Sequence, residues 1–191
     1  PSRRPNLPYR QHLLLLSRTR SPCPFRGDLS LVDLFPVEGP WPGRLSVCSR
    51  PRSGTWLEDD IRHLSQSGHD LLVSALTLEE TRKLELDGVP AVCTHYGLEF
   101  LNFPVGNLQV PRPEHLLPHL ESWHARLSAG RGMAVHCWAS VGRSPTLVAA
   151  TLVFAGVPVA EAWARIQAAR GVPVPDTLEQ RAWVEQFFSP R

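Results

Sequence analysis

The chain has 191 residues, of which 42% are hydrophobic and 20% charged, and its formal net charge is +2. This composition predicts one packed domain plus an extension, and the small net charge gives no reason to expect binding to nucleic acid or to a membrane surface. No apolar run approaches the roughly 18–20 residues that a membrane span needs.

The N-terminal region differs in composition from the rest of the chain. Residues 1–22 contain five arginines and no acidic residue, and prolines and serines remain frequent to about residue 43. We therefore predict an N-terminal basic, Pro-rich extension over residues 1–40 and a folded domain over residues 41–191. The apolar run LLLL at 13–16 is shorter than the ~7 residues of a minimal signal-peptide core, so secretion is not expected.

From residue 44 onwards, apolar runs alternate with amphipathic segments. The predicted strands cover residues 44–49, 70–76, 97–105 and 132–137. The predicted helices cover residues 56–68, 77–86, 111–130, 144–156, 158–171 and 177–188. This alternation predicts an α/β fold with a mostly parallel central sheet of about four to five strands and helices on both faces. Ligands bind at the carboxyl ends of such strands, and Cys137 follows one of them.

Two of these helices carry specific signals. Thr77 and Glu80 have the spacing of a capping box at the start of the second helix. The segment 144–156 is apolar on nearly all sides, which predicts a helix buried on every face.

The stretch AVHCWASVGRSPTL, residues 134–147, combines a strand, a turn of small residues and a helix start. Such a turn points successive backbone N–H groups into one concavity suited to an anion, and the following helix adds its positive N-terminal end. The planar guanidinium of Arg143 matches two oxygens of a phosphate, and a cysteine below the turn is favoured as thiolate. The spacing therefore predicts a nucleophile, Cys137, beneath a cradle for a phosphate dianion.

The segment HCWASVGRS resembles the His-Cys-x-x-x-x-x-Arg-Ser signature of the protein tyrosine phosphatase superfamily, and the short domain resembles its small atypical dual-specificity members. The resemblance implies that Cys137 attacks the phosphorus and that Ser144 stabilises the thiolate when it leaves, while His136 orients the loop. It also implies that the phosphate oxygens are held by Arg143 and the turn residues Trp138, Ala139, Ser140, Val141 and Gly142. The family often has glycine in place of Ser140, and serine is expected to be tolerated there unless the backbone needs a positive φ.

A second family landmark is a loop that supplies an aspartic acid to protonate the leaving oxygen. The segment FPVGNLQVP, residues 103–111, fits this frame but has Asn107 at the acid position. Asparagine cannot deliver a proton, and general acid catalysis contributes ~10²–10⁴-fold. Four interpretations stay open: a weak enzyme, a substitute acid with Glu114 nearest in sequence, a phosphate-binding pseudophosphatase, or an engineered replacement of aspartate.

The segment VPVPDTLEQRAW, residues 172–183, resembles the part of small family members where a Thr-x-x-Gln element approaches the site. By that match Gln180 positions the hydrolytic water and Thr177 shapes the loop. The alternative is an ordinary helix start with Asp176 or Thr177 as the N-cap.

The expected substrate is a phosphorylated protein or a small aryl phosphate, because residues 138–142 carry no charge whereas relatives that take inositol phosphates tend to have basic residues there. Trp138 either lines the pocket floor or packs beneath it. Arg50 and Arg52 are expected to be solvated, with contact to negative groups of the substrate as the alternative. A rhodanese-like sulfur carrier is a third function, disfavoured by the Arg143–Ser144 pair and the FPVGNLQVP frame.

No metal or cofactor is expected, since the chain has no Gly-rich nucleotide loop. The widely spaced Cys23, Cys48, Cys93 and Cys137 form no zinc or disulfide pattern, which favours a reducing, cytoplasmic location. A disulfide of Cys137 with Cys48 or Cys93 under oxidation is a minor hypothesis drawn from the resemblance.

Overall fold

The computed structural model describes residues 31–188 of the chain. The apolar run at 13–16, Cys23 and most of the predicted extension lie outside the described residues. Within the described part, a central sheet is covered by helices on both faces. Its strands are β1 (Leu34–Val37), β2 (Leu45–Cys48), β3 (Leu71–Ser74), β4 (Glu99–Asn102) and β5 (Met133–His136). The α-helices are α1 (Leu57–Gln66), α2 (Leu78–Lys83), α3 (Val89–His95), α4 (Pro113–Ser128), α5 (Arg143–Phe154), α6 (Val159–Arg170) and α7 (Leu178–Phe187).

The sheet has the strand order β1-β2-β5-β3-β4, with β1 antiparallel to β2 and every other pair parallel. Every residue of β2, β3 and β5 is buried, as expected for parallel strands that are covered on both sides. The predicted α/β class and the mostly parallel sheet are therefore confirmed. Since Ser74 is paired with His136, the carboxyl ends of β3 and β5 meet at one edge of the sheet.

Alternate residues of the strands face two separate cores. Val73 belongs to the core covered by α4, α5, α6 and α7, whereas Leu72 belongs to the core covered by α1 and α3. Helix α5 is buried from residue 143 to residue 152, which confirms the prediction from its uniformly apolar sequence. A helix buried on all sides fixes its own N-terminus firmly, and Arg143 begins this helix.

Strand β1 corrects the predicted domain boundary. Residues 34–37 lie in the segment predicted as an extension, but they form the edge strand of the sheet. The folded domain therefore begins before residue 41. The frequent prolines, Pro36 among them, favoured the prediction of an extension. Proline is nevertheless tolerated on an edge strand, where one side of the backbone makes no ladder hydrogen bonds.

The helix predicted over 77–86 begins with the expected capping box. The Thr77 side chain accepts a hydrogen bond from the Glu80 amide, and the Glu80 side chain accepts one from the Thr77 amide. Helix α3 and β1 were not predicted as separate elements. Within residues 31–188, no helix combines the length and apolar character that crossing a membrane requires.

Candidate active site

The turn between β5 and α5 forms one wall of a cavity of about 530 Å³. Cys137 follows the last residue of β5, and Arg143 is the first residue of α5. Both side chains are only 3% exposed, and both line the cavity. The cavity is also lined by Thr77, Glu79, Glu80, Lys83, Asn107, Leu108, Trp138, Ala139 and Asp176.

The sulfur of Cys137 has a hydroxyl donor directly beside it. Ser144 Oγ donates a hydrogen bond to Cys137 Sγ over 3.3 Å, and Ser144 is fully buried. Ser144 lies in the first turn of α5, so its position is set by the buried helix. A donor of this kind stabilises negative charge on the sulfur more than it stabilises a neutral thiol.

Ser140 adopts a left-handed backbone conformation with φ 58°. The turn does require a positive φ here, which is the condition under which serine was not expected to fit. The chain compensates with a hydrogen bond from Ser140 Oγ to the Cys48 carbonyl at the end of β2. The side chain therefore links the turn to the sheet in a way that glycine could not.

The outer side of the same turn is held by α6 and β1. Arg170 Nε donates to the Ser140 carbonyl over 2.7 Å. The Arg170 guanidinium itself lies 3.8 Å from the ring centroid of Phe35 in β1. The edge strand thus supports the turn indirectly, through a cation–π contact.

The guanidinium of Arg143 is held by α2. Its Nη1 and Nη2 donate to the two carboxylate oxygens of Glu80 over 2.6 and 2.9 Å, and Nη1 also donates to the Val105 carbonyl over 2.9 Å. Burial alone would raise the pKa of Glu80, but hydrogen bonds from Arg143 and Thr77 outweigh it and hold that pKa below its ordinary value. Sequence reasoning missed this ion pair, because a capping box explains Glu80 completely at the local level.

The FPVGNLQVP loop contributes to the cavity that Cys137 lines. Phe103 and Val105 are buried, whereas Asn107 is exposed and lines the same cavity as Cys137. Glu114, the carboxylate nearest to Asn107 in sequence, lies in the first turn of α4 and does not line this cavity.

The start of α7 closes the opposite side of the turn. Thr177 is the N-cap and accepts a hydrogen bond from the Gln180 amide over 3.1 Å, so the ordinary helix-start reading of Thr177 is confirmed. Gln180 is nevertheless fully buried, and its Nε2 donates to the Gln109 carbonyl of the loop over 3.1 Å. A Cβ on Gly142 would lie 2.6 Å from Asp176 Oδ2 and 3.0 Å from Gln180 Oε1, which explains why glycine is needed there.

The remaining residues of the turn lie at different depths. Ala139 is exposed and Trp138 half-buried, and both line the cavity, while Val141 packs against the core. Trp138 also packs against the core on the α1 side, so it both lines the cavity and packs beneath it. Arg50, expected to be solvated, instead donates from Nη1 to the Trp138 carbonyl over 2.7 Å and lies 5.5 Å from its ring centroid.

His136 lies directly behind the turn and is buried. Its Nδ1 is 3.3 Å from the Cys137 carbonyl oxygen, and burial lowers the pKa of His136 to about 4. The imidazole is therefore neutral at pH 7.

The other described cysteines are buried away from solvent. Cys48, Cys93 and Cys137 are all free thiols. Burial, followed by repulsion from the charge on Cys137, raises the pKa of Cys48, and burial raises the pKa of Cys93 to about 12. Both are therefore protonated and unreactive near neutral pH.

The family described as polymorphic toxin system, DSP-PTPase phosphatase matches residues 47–157, more than half of the chain. The chain belongs to this DSP-PTPase phosphatase family. A comparison with curated proteins gave no match. The matched segment runs from β2 to just beyond α5, and so contains the turn with Cys137 and Arg143.

Solved structures of phosphatases share the fold of this DSP-PTPase. The kinase-associated phosphatase KAP, with its catalytic cysteine replaced by serine, is 16% identical, with a TM-score of 0.76 over 84% of this chain and 96% of that chain. Tk-PTP in its active form is 24% identical, with a TM-score of 0.63 over 76% of this chain and 91% of that chain. A variant of human DUSP28 is 20% identical, with a TM-score of 0.57 over 80% of this chain and 92% of that chain.

Proposed function

We propose that this DSP-PTPase is a cysteine-dependent phosphatase that hydrolyses phosphotyrosine-like phosphate monoesters through a phosphocysteine. The observation that carries the proposal is the contact between Ser144 Oγ and Cys137 Sγ in the wall of a cavity that Arg143 also lines. A nucleophile, a donor to its leaving form and a cation for the phosphate oxygens are the groups that phosphoryl transfer to sulfur needs.

In the first step, the thiolate of Cys137 attacks the phosphorus, an S–P bond forms, and the P–O bond to the aryl oxygen breaks. Arg143 and the amides of residues 138–143 hold the phosphoryl oxygens while charge spreads over them. In the second step, water attacks the phosphocysteine, the S–P bond breaks, and Ser144 stabilises the thiolate as it leaves. Gln180 orients that water, since its Oε1 is a buried acceptor beside Gly142 that has no hydrogen-bond partner within the described part of the chain.

The uncharged side chains of the turn support an aryl monophosphate as substrate. Residues 138–142 are uncharged, and Trp138 supplies an aromatic wall to the cavity. PTPMT1, which is 21% identical to this chain, is solved in complex with PI(5)P, so that lipid is the natural comparison substrate. We expect a higher kcat/KM for a phosphotyrosine peptide than for PI(5)P, and the reverse order would overturn the proposed substrate class.

A second candidate function is recognition of phosphorylated ligands without turnover. Asn107 favours it, because the residue at the general-acid position of the loop cannot donate a proton to the leaving oxygen. The cavity and the Arg143 cation would serve binding equally well. Tight phosphopeptide binding with negligible hydrolysis would support this candidate.

Hydrolysis of 4-nitrophenyl phosphate by the wild-type chain and by Cys137→Ser separates the two functions. We expect hydrolysis that vanadate inhibits and that the serine variant lacks, because serine at this position is far less nucleophilic than a thiolate. Ser49→Ala, a hydroxyl deletion just after β2 and outside the cavity, is the control for general damage to the protein. Hydrolysis that survives Cys137→Ser would overturn the proposal.

We also propose a cellular location and an N-terminal extension for this chain. The spacing of the cysteines supports a cytoplasmic setting. The residues before β1 remain proposed as an extension of the phosphatase domain.

A further inference from the structure

The proposed reaction lacks a proton donor at the position where the family has one. An aryl oxygen that leaves as its anion does so slowly, and Asn107 carries no transferable proton. Three carboxylates line the cavity beside Cys137: Glu79, Glu80 and Asp176. They differ in what already binds them and in how close they lie to the turn.

Glu80 is occupied by its ion pair with Arg143 and by the Thr77 amide. Glu79 lies in the first turn of α2, where its charge favours the helix N-terminus. Among the described residues, neither Glu79 nor Asp176 has a hydrogen bond or an ion pair at its carboxylate, so both are available to a bound molecule. Asp176 differs from both glutamates in its position against Gly142 of the turn.

Asp176 is also packed against the turn that would hold the phosphate. A Cβ on Gly142 would meet Asp176 Oδ2 at 2.6 Å and Asp176 Cβ at 3.1 Å, so the carboxylate lies directly over the Gly142 Cα. Gly142 is the last turn residue before Arg143. A group over Gly142 is therefore adjacent to a phosphoryl group held by the amides of residues 138–143.

The buried amide of Gln180 marks the same place independently. Its Oε1 approaches Gly142 from the same side, is fully buried and has no hydrogen-bond partner among the described residues. A buried acceptor left open costs free energy, and here it lies beside the turn that would hold the phosphoryl group. Asp176 and Gln180 thus place two oxygen groups against the same glycine of the turn, and of the two only Asp176 lines the cavity.

We propose that Asp176 is the general acid and base of this phosphatase and replaces the missing acid of the Asn107 loop. The inference rests on the proposed phosphocysteine reaction. In the first step, the Asp176 carboxyl gives its proton to the aryl oxygen as the P–O bond breaks and the S–P bond forms. In the second step, its carboxylate takes a proton from the attacking water as the S–P bond breaks, which releases inorganic phosphate and restores both groups.

The charges around Asp176 suit this role. Lys83 and Arg143 face the cavity as cations, whereas Glu79, Glu80 and the Cys137 thiolate face it as anions, and Arg181 of α7 donates to the Val174 carbonyl beside it. A substrate dianion placed over Gly142 brings another negative group next to the Asp176 carboxylate. The Asp176 carboxyl is then beside the oxygen that leaves.

The decisive experiment measures kcat/KM of Asp176→Asn and the wild type for two aryl phosphates that differ in their leaving group. We expect a loss of about 10²-fold or more for phenyl phosphate, whose phenolate leaves poorly without a proton. The loss for 4-nitrophenyl phosphate is expected to be much smaller, since 4-nitrophenolate leaves without help. Asp176→Glu, which keeps a carboxyl, is expected to recover part of the phenyl phosphate activity.

The controls make each outcome decisive. Glu79→Gln removes a carboxylate from the same cavity, and we expect equal, small effects on both substrates. Asn107→Asp is expected to restore phenyl phosphate hydrolysis in the Asp176→Asn chain far more than it raises the rate of the wild type, which also shows that the Asp176→Asn chain is folded.

Three results would overturn the role of Asp176. They are equal losses for both substrates in Asp176→Asn, no loss in that variant, and a loss that depends on the leaving group in Glu79→Gln and not in Asp176→Asn. In each of these results hydrolysis still depends on Cys137. Failure of the proposed function differs, because then either Cys137→Ser does not change the rate or the wild type has no activity.

Discussion

At the scale of single residues, Ser140 combines an unfavourable backbone angle with a useful side chain. Its φ of 58° costs a residue with a Cβ about 1–2 kcal/mol relative to glycine, and its hydroxyl bonds the buried end of β2. The two effects oppose each other. The family preference for glycine agrees with the positive φ at this position, and the hydrogen bond to β2 offsets the cost that serine pays there.

Two substitutions separate these effects. We expect Ser140→Gly to change the free energy of unfolding by less than about 1 kcal/mol, because relief of the backbone angle offsets the lost hydrogen bond. Ser140→Ala keeps the angle and loses the hydrogen bond, so it should destabilise the protein by about 1–2 kcal/mol. Urea unfolding of both variants measures the difference, and a glycine variant as unstable as the alanine variant would contradict the assignment.

The buried His136 predicts how stability depends on pH. Burial lowers its pKa from 6.5 to about 4, so the unfolded chain binds a proton at this residue at a higher pH than the folded chain does. The stabilisation is complete above about pH 6.5 and is lost as the pH falls towards 4, amounting to about 3 kcal/mol at most. Burial also lowers the pKa of His69, which adds to the same trend.

The test is urea unfolding at pH 7 and pH 5 for the wild type, His136→Gln and the exposed control His95→Gln. We expect the wild type and the control to lose stability between the two pH values and His136→Gln to lose clearly less. An identical pH response in all three chains would show that His136 does not cause it.

At the scale of elements, α2 controls the cation of the site. Glu80 holds the Arg143 guanidinium through both carboxylate oxygens across 63 residues of sequence, while also serving in the capping box that starts α2. A local motif and a long-range ion pair are thus built on one side chain. Glutamine at this position preserves the capping box but removes the charge that pairs with Arg143.

Glu80→Gln therefore isolates the ion pair. We expect kcat/KM for 4-nitrophenyl phosphate to fall by about 10–100-fold, because a guanidinium without its bidentate partner no longer holds the phosphate geometry. Glu79→Gln changes the same charge on the same helix without breaking an ion pair, and its effect is expected to be within about twofold. Similar losses in the two variants would mean that α2 acts through its net charge and not through Arg143.

At the scale of the whole molecule, the sequence predicted the features that short segments determine. The strand–turn–helix around Cys137 and the buried helix α5 follow from patterns within about fifteen residues, as does the capping box of α2. The family resemblance implied that the Asn107 loop would lie beside Cys137, and the two residues do line one cavity.

The features that sequence reasoning missed depend on pairing between distant segments. Strand β1 contains Pro36 and becomes a strand only by pairing with β2, so its sequence alone read as an extension. Glu80 and Asp176 belong to the site because α2 and the start of α7 pack against the turn, and each had a sufficient local explanation as a helix-start residue. Ion pairs and cavity linings of this kind are set by tertiary packing.

The proposed chemistry of the molecule depends on a covalent bond that forms between phosphorus and the sulfur of Cys137. Acid quenching of a reaction with a phosphorus-labelled aryl phosphate, followed by peptide mapping, measures that bond directly. We predict label on the peptide that contains Cys137 in the wild type and its absence in Cys137→Ser. Turnover without label on Cys137, label on another residue, or binding of phosphate esters without any turnover would contradict it.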